Sequence, residues 1–170
     1  MRARRPLSLL LASAALTLAA CGFTLRGTQT LPYPTIALNV PASSTLGVEL
    51  TRSIRTGTQT QVLADQTQAA AIFDLLGENR GEHTNVLVNA QGRVTDYTLR
   101  YRLRFRLRDA QGREVIEPTE LVVQRDVSFN DSQRLSKESE ETLLIRDMQS
   151  DLVQQLLRRL AAAKPYASGD

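Results

Sequence analysis

Arg100, Arg102, Arg104, Arg106 and Arg108 stand at every second position and form the densest row of chemically capable side chains in this 170-residue chain. Guanidinium groups grip phosphate and carboxylate in bidentate fashion, so such a row can hold an anionic ligand or an acidic partner. Carboxylates on adjacent strands can equally well occupy it. Acidic residues stand ready for that second use: Asp74, Glu78 and Glu82 are expected on one side, Glu120 and Asp126 on the other. Each exposed pair would contribute only about 0–1 kcal/mol. Ion pairing is therefore the expected role of most of the row, with its ends left to meet a partner.

Other chemistry is sparse. His83 is the only histidine and Cys21 the only cysteine, so neither a zinc site nor a Cys-His dyad can be assembled. There is no glycine-rich phosphate loop opening a helix and no serine-elbow motif. The carboxylate pair Glu140-Glu141 reads as a solvated turn of a helix. No active site, no metal and no dissociable cofactor are expected.

Cys21 is informative through its surroundings. Arg2, Arg4 and Arg5 precede an apolar run from Leu7 to Leu18, and Ala19-Ala20 lead into Cys21. Charge, short apolar stretch and small residues in that order describe an export signal, and the run is shorter than the roughly 20 residues a spanning helix needs. Leu18-Ala19-Ala20-Cys21 resembles the bacterial lipobox. That likeness implies diacylglycerol on the Cys21 thiol, cleavage before it and an N-acyl lipid on the new amine. The competing reading is an ordinary secretory signal that ends near a cysteine. Gly22, where Asp would favour inner-membrane retention, points to the outer membrane. Residues 1–20 are thus expected to be removed. With them go three of 21 basic residues, leaving 18 against 18 acidic ones. The basic balance of the precursor is no argument for nucleic acid.

Hydrophobic periodicity supplies the elements that hold these groups. Residues 21–34 read as a lipidated tether stiffened by Pro32 and Pro34. About a dozen extended residues would hold the domain within roughly 40 Å of the bilayer. Residues 35–164 are expected to form one domain. Thr35–Val40 alternates as a short strand, and Leu46, Leu50 and Ile54 stripe a helix over Thr45–Arg55 capped by Ser43 or Ser44. A short extended piece at Gln61–Leu63 leads to a strand over about Ala70–Glu82. The clearest strand carries Tyr97, Leu99, Tyr101, Leu103, Phe105 and Leu107 opposite the arginines. Turns at Asn89-Ala90-Gln91-Gly92 and Asp109-Ala110-Gln111-Gly112 flank it, and another strand covers about Glu114–Phe129, where Pro118 indicates an edge or a bulge. A helix follows over about Ser132–Ala163, striped by Leu144, Met148, Leu152, Leu156 and Leu160, and residues 165–170 read as a mobile tail. The order predicts an α+β two-layer sandwich: a four-stranded mixed sheet with two helices on one face.

Several short segments together carry a resemblance. Cys21-Gly22-Phe23-Thr24-Leu25-Arg26-Gly27, Gly92-Arg93-Val94-Thr95-Asp96-Tyr97, Arg125-Asp126, Leu135-Ser136-Lys137-Glu138 and Asp147-Met148, in this order, resemble the LptE family of lipopolysaccharide-assembly lipoproteins. The likeness spans nearly the whole mature chain. It implies a non-enzymatic, lipid-anchored outer-membrane protein facing the periplasm and a barrel lumen. Its partner would be the β-barrel LptD, bound one to one, which it would plug and help to assemble while supporting lipopolysaccharide insertion into the outer leaflet. The resemblance also implies lipopolysaccharide binding, for which Lys137 matches a basic position of the family's Leu-x-Lys motif. Some relatives carry a basic residue where Ala90 stands here, leaving Arg93 as the nearby substitute. Lys137 has an equally plain alternative, a surface pair with Glu141 at i+4. The competing function is a periplasm-facing auxiliary lipoprotein of a lipid ABC transporter; a small hydrolase has no visible nucleophile and base.

Overall fold

The fold follows from one long meander with a parallel crossover added at its side. The computed structural model describes residues 30–128 and 134–166, and the side chains of 134–138 lie outside that description. Strand β1 (Thr35–Asn39) leads to helix α1 (Thr45–Gly57), β2 (Gln61–Leu63), β3 (Ala71–Val88), β4 (Val94–Asp109), β5 (Glu114–Ser128) and helix α2 (Arg134–Ala162). The sheet runs in the order β2-β1-β3-β4-β5. β1 is parallel to both β2 and β3, whereas β3-β4 and β4-β5 are antiparallel.

The sheet has five strands, not the four expected from the sequence. The extra strand is Gln61–Leu63, which pairs with Thr35–Ala37 after α1 returns the chain to the open side of β1. The Gln61 N–H also donates to the Pro34 carbonyl at 3.0 Å. Three residues are too few for alternation to be read, so only the pairing reveals the strand. The core begins earlier than expected as well: Leu31 and Tyr33, assigned to the tether, are buried within it.

One apolar cluster joins the sheet to both helices. Leu99, Tyr101, Leu103, Phe105 and Leu107 are fully buried, as the alternation of β4 requires. Phe73 of β3 stacks on Phe105 with centroids 5.5 Å apart. Above them lie the α1 stripe of Leu46, Leu50 and Ile54 and the α2 stripe of Met148, Leu152, Leu156 and Leu160. Ser44 caps α1 by accepting from the Gly47 N–H at 3.0 Å. At its other end, Thr58 donates through both its N–H and its hydroxyl to the Ile54 carbonyl. The expected caps of α2, Asn130 to Ser132, and Phe129 lie outside the described residues.

The edges and turns match their residue types. Pro118, which has no N–H to give, lies in β5 at the edge of the sheet. The two meander turns share one design: the side chain of Asn89 accepts from the N–H groups of Gln91 and Arg93, and that of Asp109 from those of Gln111 and Arg113. Gly92 and Gly112 take the positive φ that closes each turn, +74° and +84°.

Candidate functional site

The arginine face of β4 is the side of the sheet turned away from the helices, and its chemistry changes along its length. At the end near the β4–β5 turn, Asp74 is the anchor. It is buried, and it accepts from Arg106 Nε at 2.8 Å, from Arg108 Nε at 2.6 Å and Nη2 at 3.0 Å, and from Asn39 Nδ2 at 2.8 Å. Burial pushes its acidity the other way, yet the hydrogen bonds from Arg108, Asn39 and Arg106 prevail and hold the carboxyl well below the usual carboxylate range. Arg106 and Arg108 are raised in return, chiefly by their hydrogen bonds to Asp74. Arg106 also reaches Glu114 at 3.2 Å.

Further along, pairing thins out. Arg102 meets Glu82 at 3.0 Å. With its amide oxygen turned toward β4, Gln124 accepts from Nε and Nη2 of Arg100, each at 3.0 Å. Arg104 is exposed and has no ion pair among the described residues, although Glu120 stands opposite it in register. Exposed apolar groups, Leu76 at 42% and Val122 at 40%, accompany this middle stretch.

Three of the five expected acidic partners do something else. A register shift between Leu75 and Gly77 reverses the parity of β3, so Glu78 stands opposite Leu103 on the helix-facing side. There it accepts a hydrogen bond from the Tyr101 hydroxyl and lies 3.5 Å from Arg80 Nε. Burial, then this hydrogen bond, pushes the Tyr101 phenol far above its ordinary value. Asp126 accepts from the Thr98 hydroxyl at 2.9 Å, and Glu120 has no ion pair among the described residues. Glu114, which the sequence did not single out, takes a place in the row.

A second register shift, between Asn79 and Glu82, restores the original parity and builds a polar tie under the outer half of the β3–β4 hairpin. His83, opposite Leu99, stands 3.0 Å from Glu141 of α2 and 4.4 Å, centroid to centroid, from Tyr97. The Tyr97 hydroxyl donates to the other Glu141 oxygen at 3.0 Å, and burial followed by Glu141 raises that phenol to about 12. Glu141 is therefore a clamp between helix and hairpin, not the solvated turn expected from its sequence. Spacing alone could not find it, because His83, Tyr97 and Glu141 are far apart in the chain.

Past this tie the hairpin runs on to its tip with apolar residues in the open. Val86, Leu87, Val88 and Val94 are 48%, 59%, 58% and 37% exposed, and Arg93 stands in the turn between them. Of the two candidate basic residues, Arg93 is at the tip, while the side chain of Lys137, in the first turns of α2, lies outside the described residues. Cys21 lies outside them too. Among the described residues no group of three or more His, Cys, Asp or Glu could hold a metal ion, and no helix is long and apolar enough to cross a membrane.

What this arrangement offers is surface for contact: a firm, ion-paired sheet face and an apolar hairpin tip with a cation. Comparison with known proteins bears on the same point. Residues 33–160 match the family described as LptE, lipopolysaccharide-assembly. Among solved structures, the chain is similar to lipoprotein B from Nitrosomonas europaea, with 36% identity and a TM-score of 0.72 over 83% of this chain and 91% of that one. It shares its fold with a minor lipoprotein from Acinetobacter baumannii (24% identity, TM-score 0.62, 78% and 93% covered). The rare lipoprotein B from Shewanella oneidensis likewise has this fold (19%, 0.65, 75% and 94%).

Proposed function

Because the chain belongs to the LptE family of lipopolysaccharide-assembly lipoproteins, we propose that it works as the lipid-anchored plug and assembly partner of the outer-membrane barrel LptD, bound one to one. The family is non-enzymatic, and the role is one of fitting surfaces. The observation that supports the plug reading best is the sheet face left uncovered by the helices. It is polar, and much of it is ion-paired within the chain through Asp74, Glu82 and Glu114. Barrel interiors are polar, so a plug needs its own apolar core and a charged exterior whose charges are already largely balanced. Arg104, with no ion pair among the described residues, is the member of the row best placed to meet an acidic group on the barrel wall.

In this reading the lipid on Cys21 holds the domain at the inner leaflet of the outer membrane, and one chain of lipid alone would bind only reversibly. Lipopolysaccharide phosphates are met by Arg93 at the hairpin tip and by Lys137 near the start of α2. The apolar residues around Arg93 suit a ligand that carries acyl chains beside its phosphates.

Native purification of the lipidated protein from outer membranes tests the proposal. A stoichiometric large β-barrel is the expected companion. Recovery with an ATPase or permease complex instead would replace this reading with an auxiliary role in a lipid ABC transporter.

A further inference from the structure

Helix α1 carries two unlike faces, and among the described residues the second is not packed into the core. Leu46, Leu50 and Ile54 enter the core. Val48, Thr51, Arg52 and Arg55 recur at helical spacing on another side and, with the ends of β1 and β2, line an open groove of about 590 Å³. Its floor is apolar: Leu38, Val40 and Val62 are only partly buried, and Val48 is 57% exposed. Gly47 lets the helix lie close over the groove's inner end, since a Cβ there would come within 2.6 Å of Val40 Cγ2.

The charges of α1 are segregated across this geometry. Its one acidic residue, Glu49, faces α2 and accepts from Gln149 Nε2 at 2.6 Å and Ser150 Oγ at 2.5 Å. Both of its arginines stand on the groove side, exposed and without an ion pair among the described residues. Among the described residues no acidic side chain lines the groove. Arg55, in the last turn, is favoured there by the helix dipole, but Arg52 lies a turn earlier and gains little from it. Two like charges three residues apart on a helix repel each other, and an anion between them would reverse that cost.

From this we infer that the groove between α1 and the ends of β1 and β2 binds an anionic amphiphile, its acyl chain over Val40, Val48 and Val62 and its phosphate or carboxylate head between Arg52 and Arg55. The size falls within the roughly 300–1,000 Å³ of small-molecule sites, and an apolar floor with a few placed charges is their usual makeup. The groove shares no residue with the arginine row or the hairpin tip, so its test does not depend on the barrel reading.

The test uses the full mature chain carrying Cys21→Ala, which needs no detergent. Dodecyl phosphate is titrated below its critical micelle concentration while calorimetry follows binding and methyl NMR follows Val40, Val48 and Val62. Saturable one-to-one binding with shifts at those methyls is expected, weakened at least about tenfold by the surface double variant Arg52→Gln/Arg55→Gln. Dodecyl maltoside and inorganic phosphate, which each supply one half of the ligand, should bind at least about tenfold more weakly. The inference is overturned by the absence of saturable binding, by shifts at Val86–Val94 instead, by an unaffected double variant, or by either half-ligand binding as tightly as dodecyl phosphate.

Discussion

The two turns of the β3–β4–β5 meander have nearly the same sequence, Asn89-Ala90-Gln91-Gly92-Arg93 and Asp109-Ala110-Gln111-Gly112-Arg113, and the same backbone bonds, yet they end opposite poles of the sheet in different states. At the second turn Asp109 adds an ion pair to Arg113 at 2.7 Å, and that guanidinium lies 4.4 Å over the Tyr166 ring. Asp74 with Arg106 and Arg108 locks the adjacent strands. At the first turn, Asn89 has no charge to contribute, and the residues beside it are exposed valines and a leucine. Nearly the same turn, with Asn exchanged for Asp, therefore closes a fastened pole and an open one. The difference comes from the charge of Asp109 and from what packs against each turn, and it separates a part of the molecule that secures the fold from one whose apolar residues stay exposed.

The strongest way to break this contrast is at Asp74. Asp74→Asn should cost about 2–4 kcal/mol, because it leaves two guanidiniums without their carboxylate in a site that is itself buried. Thermal or urea unfolding measures the loss. The effect should vanish with acid: the native carboxyl is held low, so its contribution is complete at neutral pH. It is lost as the pH falls from the unfolded-state value near 4 down through the lower native one. Wild type and variant should then converge in stability at low pH.

Gly81 tests the boundary between the poles. It has φ +73°, and a Cβ there would meet Ile145 Cδ1 at 3.0 Å. Gly81→Ala should cost about 1–2 kcal/mol through strain at the point where α2 packs on the hairpin. At the open pole, Glu82→Gln should change stability by less than about 1 kcal/mol, since its pair with Arg102 is partly exposed. Smallest of all, Arg93→Ala should leave stability within about 0.5 kcal/mol of wild type while weakening lipopolysaccharide capture by the purified protein. If Arg93→Ala unfolded the protein as Asp74→Asn does, the division into a fastened and an open pole would be wrong.

The sequence made β4 legible because burial and charge alternate there with the same period, so one register satisfies both. Asp74 could be placed as a partner for the same reason, and Glu82 because a second register shift, between Asn79 and Glu82, cancels the first. Glu78 could not, since the register shift before Gly77 turns its side chain to the other face, and bulges leave little trace in a single sequence. The extended piece at Gln61–Leu63 does not count as a strand from sequence because it is three residues long, and Leu31 and Tyr33 read as lying outside the core because prolines beside them suggest an extended tether. The Glu141 clamp is a tertiary contact assembled from three elements. In the functional reading, the family was legible from short motifs in order, whereas the groove beside α1 emerges only when strand ends and helix face are brought together.

Photo-crosslinking in living cells from position 104, in the exposed middle of the arginine row, reports what this sheet face lies against. A single dominant adduct with a large outer-membrane β-barrel is expected, formed by lipidated protein and diminished when export to the outer membrane is blocked. Adducts with an ATPase or permease complex, or a position 104 that stays open to water-soluble labels in intact outer membranes, would contradict the barrel reading.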